Sequence, residues 1–175
     1  KPVVALNRDS DGVQVLAGAN FELGALTRGE LGVGYIKQNY DDVAAKDIDG
    51  FAARAQVEWF PTQLTTITLG GARTIEESGD PTIAGYLSTN ASLRIDHELL
   101  RNVLLSANVS SGKDEYKGID RDDKNTGAGV SATYLLNRNV GVALNYSYQK
   151  RASSGAKAGP EFEANKVGAT LTLQF

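Results

Sequence analysis

Apolar and polar residues alternate along most of this chain. Successive side chains of an extended strand point to opposite faces, so period-two alternation predicts strands with one apolar and one polar face. The clearest case is residues 13–23, where Val13, Val15, Ala17, Ala19, Phe21 and Leu23 alternate with Gln14, Leu16, Gly18, Asn20 and Glu22. Residues 30–40 carry Leu31, Val33 and Tyr35 in one phase. Residues 51–60 set Ala53, Ala55, Val57 and Trp59 against Ala52, Arg54, Gln56 and Glu58. Residues 64–76 are weaker, carried by Ile67 and Leu69. The second half repeats the theme over residues 86–97, 102–111, 126–136, 139–149 and 167–175. Segments recur roughly every 15 residues with turn residues between them. With a short segment at 2–7, closed by the polar turn 8–12, this predicts about ten strands in one domain spanning 1–175.

The connections alternate as well. Residues 61–63, 99–101 and 137–138 read as tight turns, whereas 41–50, 77–85, 112–125 and 150–163 read as long polar loops. Short turns on one rim and long loops on the other is the pattern of a transmembrane β-barrel. A Greek-key sandwich would not sort its connections this way. The expected fold is therefore all-β, an antiparallel up-and-down transmembrane β-barrel or part of one, with Val13, Ala17, Leu93, Val142 and Leu171 facing lipid.

Composition sharpens this reading. Mean hydropathy is −0.27 and hydrophobic residues make up 41%. No run approaches the ~18 apolar residues of a transmembrane helix, but a barrel alternates and so dilutes its hydropathy. A net charge of −3 argues against nucleic acid as a partner. The absence of Cys removes disulfides and thiolate metal sites. The chain opens on Lys1 without Met or an export signal, so a fragment lacking amino-terminal strands is expected.

Charge and aromatic placement follow the same phases. Arg54, Glu58, Arg94 and Asp96 all fall on the polar phase. An Arg facing lipid at the bilayer midplane costs about 2–4 kcal/mol, whereas one facing a wet lumen costs little. Phe21, Trp59, Phe60, Tyr134 and Phe175 lie toward the turn rim, and Tyr35, Tyr146 and Tyr148 toward the loop rim, as two interfacial girdles would. Arg73 breaks the pattern, sharing the phase of Ile67 and Leu69; it is expected high enough to meet anionic headgroups.

The stretches "TRGELGVGYIKQNYDD", "VEWFPTQLTTITLGGART", "DHELLRNVLLSANV" and "TYLLNRNVGVALNYSY" resemble the putative β-barrel porin 2 family of bacterial outer-membrane proteins. The likeness runs from about Asp11 to Phe175, and the turn segment 96–102 is its most specific piece. A last strand ending on Phe175 also looks like the closing strand and assembly signal of outer-membrane barrels. The resemblance implies outer-membrane localisation, contact with lipid and lipopolysaccharide, recognition of Phe175 by the barrel-assembly machinery, and a parent about twice as long. It also hints at polysaccharide-linked export.

Candidate chemistry is sparse. His97 is the one histidine and neighbours Asp96 and Glu98. With no second His or Cys to complete a site, it reads as a structural residue of the turn, where the imidazole or its carboxylate neighbours bond backbone N–H groups, not a base or metal ligand. The carboxylates of 47–50 and 120–123 lack the full spacing of a calcium loop and read as solvated loop charge. No catalytic, metal or cofactor site is expected, and an enzyme is the weakest reading. The pore-lining set is Arg54, Glu58, Arg94 and Asp96, with the arginines facing the acids across the lumen in a transverse field. Small residues in the polar phase, among them Gly18, Gly32, Gly34, Ser88, Ser92 and Ser106, would leave that lumen open. The expected function is a porin-like channel for diffusion or export of polar solutes. The alternative is a structural barrel with a closed lumen that anchors the envelope.

Overall fold

A computed structural model describes residues 9–42, 45–80 and 83–174. The segment at 2–7 and Phe175 lie outside the described residues. Nine strands follow one another: β1 (Ser10–Leu23), β2 (Thr27–Tyr40), β3 (Ile48–Thr62), β4 (Thr65–Glu77), β5 (Gly85–Leu100), β6 (Val103–Tyr116), β7 (Asp122–Leu135), β8 (Val140–Ser154) and β9 (Phe162–Leu173). Each pairs antiparallel with the next in a single up-and-down sheet, with β1 and β9 at its edges among the described residues.

All nine strands were legible as segments with the right phase, but their ends were not. The loop 112–125 shrinks to 117–121 and the loop 150–163 to 155–161, because polar residues there continue the strands. The tight turns fall at 24–26, 63–64, 101–102 and 136–139. Gly24 adopts φ 60°, a left-handed conformation that glycine enters without a Cβ clash. At 136–139 the Asn137 carboxamide oxygen accepts from the backbone N–H groups of Asn139 (2.8 Å) and Val140 (3.0 Å), an Asx turn.

Register fixes which residues share a face. One row runs Val15, Tyr35, Phe51, and another runs Leu69, Leu93, Val109, Ala128, Tyr148. This apolar face is bare: Val13 is 66% and Val167 84% exposed. Such an expanse of exposed aliphatic surface marks a face built to contact a membrane or another protein. The strands are 12–16 residues long, more than the ~9–11 that cross a bilayer. The surplus lies at the loop rim, where the same face turns polar at Lys37, Asp49, Arg73, Lys113 and Lys124.

The opposite face is polar and crowded with glycine where strands press together. A Cβ on Gly18 would sit 2.5 Å from the Leu31 carbonyl, and one on Gly34 would run into the Val15 carbonyl. That close approach lets β1 and β2 coil tightly.

At the loop rim the sheet folds over itself. β3 and β4 part beyond the Ala53–Arg73 pair. The tip of the β4–β5 hairpin then lies on the polar face of β2 and β3. Its apolar-face residues Ile75 and Leu87 meet the polar-face positions Tyr40, Ile48 and Gly50 there, together with Ala84 of the connecting loop. Ile48 is 1% and Leu87 2% exposed. Every buried residue among those described, Gly141 at the turn rim excepted, belongs to this rim.

Candidate functional site

The polar face carries one ladder of charged, hydroxyl and carboxamide residues broken by a single glycine. Cross-strand pairs link Glu22, Arg28, Glu58, Thr68, Arg94, Asn108, Gly129, Ser147 and Lys166 across all nine strands. Acid and base alternate in its first part. Arg28 Nε donates to Glu58 at 2.6 Å and lies over the Phe60 ring at 5.2 Å. Arg54 lies on the next-but-one row, alongside Gly18 and Gly32, and pairs with Glu30 at 2.9 Å. Arg94 grips Asp96 on its own strand, Nε to Oδ2 at 2.7 Å and Nη2 to Oδ1 at 2.8 Å, and Ser106 donates a third bond.

All four residues singled out in the sequence therefore share the polar face. Arg54 pairs with Glu30, Glu58 with Arg28 and Arg94 with Asp96, so each charge is balanced by a neighbour on the sheet. The field alternates over a few ångströms along this face. Arg28 and Glu30 escaped the sequence reading because only register reveals cross-strand partners. Together with Asn20, Glu22, Gln56 and Glu58, they and Arg54 line a cleft of about 670 Å³ near the turn rim.

A second cluster closes the loop rim, above the apolar band. Asp123, expected as solvated loop charge, is fully buried at the start of β7. Arg121 donates to both its oxygens at 3.1 and 2.7 Å, and Arg151 and Ser153 add further bonds. Burial disfavours its charged form, but these donors outweigh that and hold its carboxyl well below the usual carboxylate range. The Arg121 guanidinium stacks on Tyr116 at 4.3 Å, and Tyr116 packs on Tyr86 with ring centroids 4.9 Å apart. The connecting loops join in: Lys157 N donates to Asp120 O at 3.0 Å, and Gly159 N to Ser153 Oγ at 2.7 Å. Asp47 and Asp49 are likewise engaged, accepting from Tyr40 N (3.1 Å) and the Tyr35 hydroxyl (2.5 Å).

His97 sits within β5, not in a turn, and on the apolar face. Its Nδ1 is hydrogen-bonded to the Thr65 hydroxyl at 2.9 Å. The bond is to a side chain on the neighbouring strand, not to a backbone N–H, and it caps the edge of a shallow apolar hollow with Ile95, Leu105 and Leu144.

A family model, described as Putative beta-barrel porin 2, matches residues 2–175. The chain belongs to that family. A comparison with curated proteins returns no match. Membership of the putative β-barrel porin 2 family agrees with the single antiparallel sheet and supports an outer-membrane barrel in general terms. For the porin 2 chain the polar ladder is thus the face a barrel would turn inward, and the exposed aliphatic face the one it would turn to lipid.

Proposed function

We propose that this chain forms the wall of an outer-membrane pore that passes polar solutes with little preference for either sign of charge. The polar ladder from Glu22 to Lys166, with acid and base alternating from Glu22 to Glu58, carries the reading. It presents paired charges, carboxamides and hydroxyls to water, with Gly18, Gly32, Ser92 and Ser106 leaving room between them. A local alternation of sign orients dipoles without concentrating one ion. Arg54, Glu58, Arg94 and Asp96 line the passage in this reading, with Arg28 and Glu30 added.

Closure needs further strands. β1 and β9 both run from loop rim to turn rim, since odd-numbered strands of an up-and-down sheet share a direction. Joining them by antiparallel pairing requires an odd number of additional strands. Bare edges do not persist in hydrocarbon, where every backbone N–H and C=O must be paired. The complete barrel therefore draws strands from outside the described residues, and the final strand is the surface offered to the assembly machinery.

Single-channel recording in planar bilayers tests the proposal. The barrel should conduct, and Arg54→Ala with Arg94→Ala should move its selectivity toward cations. Absence of conductance would favour the second reading, a structural barrel with a closed lumen. The β4–β5 tip lying on the polar face supports that alternative.

A further inference from the structure

We propose that the outward face at the loop rim is a docking surface for the phosphate of an anionic lipid headgroup. This rests on the barrel reading, which puts that face against the membrane. Arg73, Thr89, Lys113, Lys124 and Ala152 form one cross-strand row on it. The next row toward the bilayer holds Gly71, Ala91, Ser111, Thr126 and Lys150. Beneath it the aliphatic and aromatic surface begins, at Leu69, Leu93, Val109, Ala128 and Tyr148. Cations and hydroxyls thus occupy the level where acyl chains end and headgroups start.

Two features point to an anion there. Lys113 and Lys124 are directly opposed on paired strands, an arrangement that repels unless a negative group lies between them. Two of the acids near this cluster, Glu115 and Asp122, sit one row farther from the bilayer, and a third, Glu163, stands opposite Lys150 in its own row. Glu115 takes Arg73 at 3.4 Å and Lys113 at 2.8 Å, and Asp122 takes Lys113 at 3.0 Å. Among the described residues, no ion pair engages Lys124 or Lys150. Both are exposed, their chains free to carry an ammonium down to a headgroup. Ser111 and Thr126 supply hydroxyl donors between them.

Spin-labelled lipids measure this directly. The protein, reconstituted in phosphatidylcholine vesicles, should immobilise a labelled phosphatidylglycerol more strongly than a labelled phosphatidylcholine. Lys124→Gln and Lys150→Gln should each lower that preference roughly fivefold, whereas Lys166→Gln on the polar face should leave it unchanged. Excess inorganic phosphate should not displace the label; displacement would assign the cluster to free phosphate and overturn the lipid assignment. Insertion with equal preference for both lipids, or a preference untouched by both substitutions, overturns the inference and leaves the barrel standing. Failure to insert into phosphatidylcholine at all overturns both.

Discussion

The two ends of the polar face use the same residue types to opposite ends. Near the turn rim, Arg54 and Glu30 pair with their side chains 67% and 44% exposed. At the loop rim, Arg121 and Arg151 close on Asp123, whose side chain is wholly buried. An exposed pair gains little over two hydrated ions, about 0.2–1 kcal/mol. A buried pair returns little net stability either, but losing one member strands the other, which costs about 3–5 kcal/mol. One end is therefore free to vary with function, and the other is committed to holding loops in place.

The largest expected effect tests that contrast. Asp123→Ala should cost about 3 kcal/mol, read as a lower midpoint in thermal unfolding monitored by heat-modifiable gel migration. An effect below about 1 kcal/mol would erase the distinction between the ends. Next comes the packed tip. Ile48→Ala should cost about 2–3 kcal/mol by opening a cavity under Ile75 and Ala84. The same change should make the β4–β5 tip open to protease, which limited proteolysis would detect.

A pH series sharpens the comparison. The Asp123 carboxyl titrates below its ordinary value, so its contribution is present above the unfolded-state pKa near 4 and is lost as pH falls through the lower folded-state value. The stability gap between the wild type and Asp123→Asn should stay constant from about pH 7 to 5 and close only below about pH 4. Smallest is the Arg54–Glu30 pair. A double-mutant cycle should give a coupling of about 0.5 kcal/mol or less, while channel selectivity shifts measurably. Strong coupling there would mean that the turn-rim end is structural too.

Much of the fold could be read from the chain because hairpin topology preserves phase. Once Val13 and Leu23 define one face, register carries that face through β9, and alternation suffices to place Arg54 or Arg94. Partner choice is another matter. Arg28 lay outside the segment begun at Glu30, so the Arg28–Glu58 contact depends on β2 extending to Thr27. Asp123 looked like loop charge because residues 112–125 are polar but for Tyr116 and Ile119, and polarity at a strand end does not distinguish a solvated carboxylate from one enclosed by Arg121, Arg151 and Ser153. The folded-over tip was invisible for a different reason. It follows from where β3 and β4 stop pairing, and nothing in the alternation of Ile75 or Leu87 marks that point.

That tip gives the molecule two solvents to answer to. The aliphatic face from Val13 to Leu171 is content in any hydrocarbon, so detergent of suitable chain length substitutes for lipid there. Tyr40, Ile48, Ile75 and Ala84 cluster beyond the band, where only the aversion of water to apolar surface drives them together. Urea weakens that force while leaving a detergent-coated wall in place. A chaotrope and a harsh detergent should therefore dismantle this protein from opposite ends, the first freeing the tip from an intact sheet.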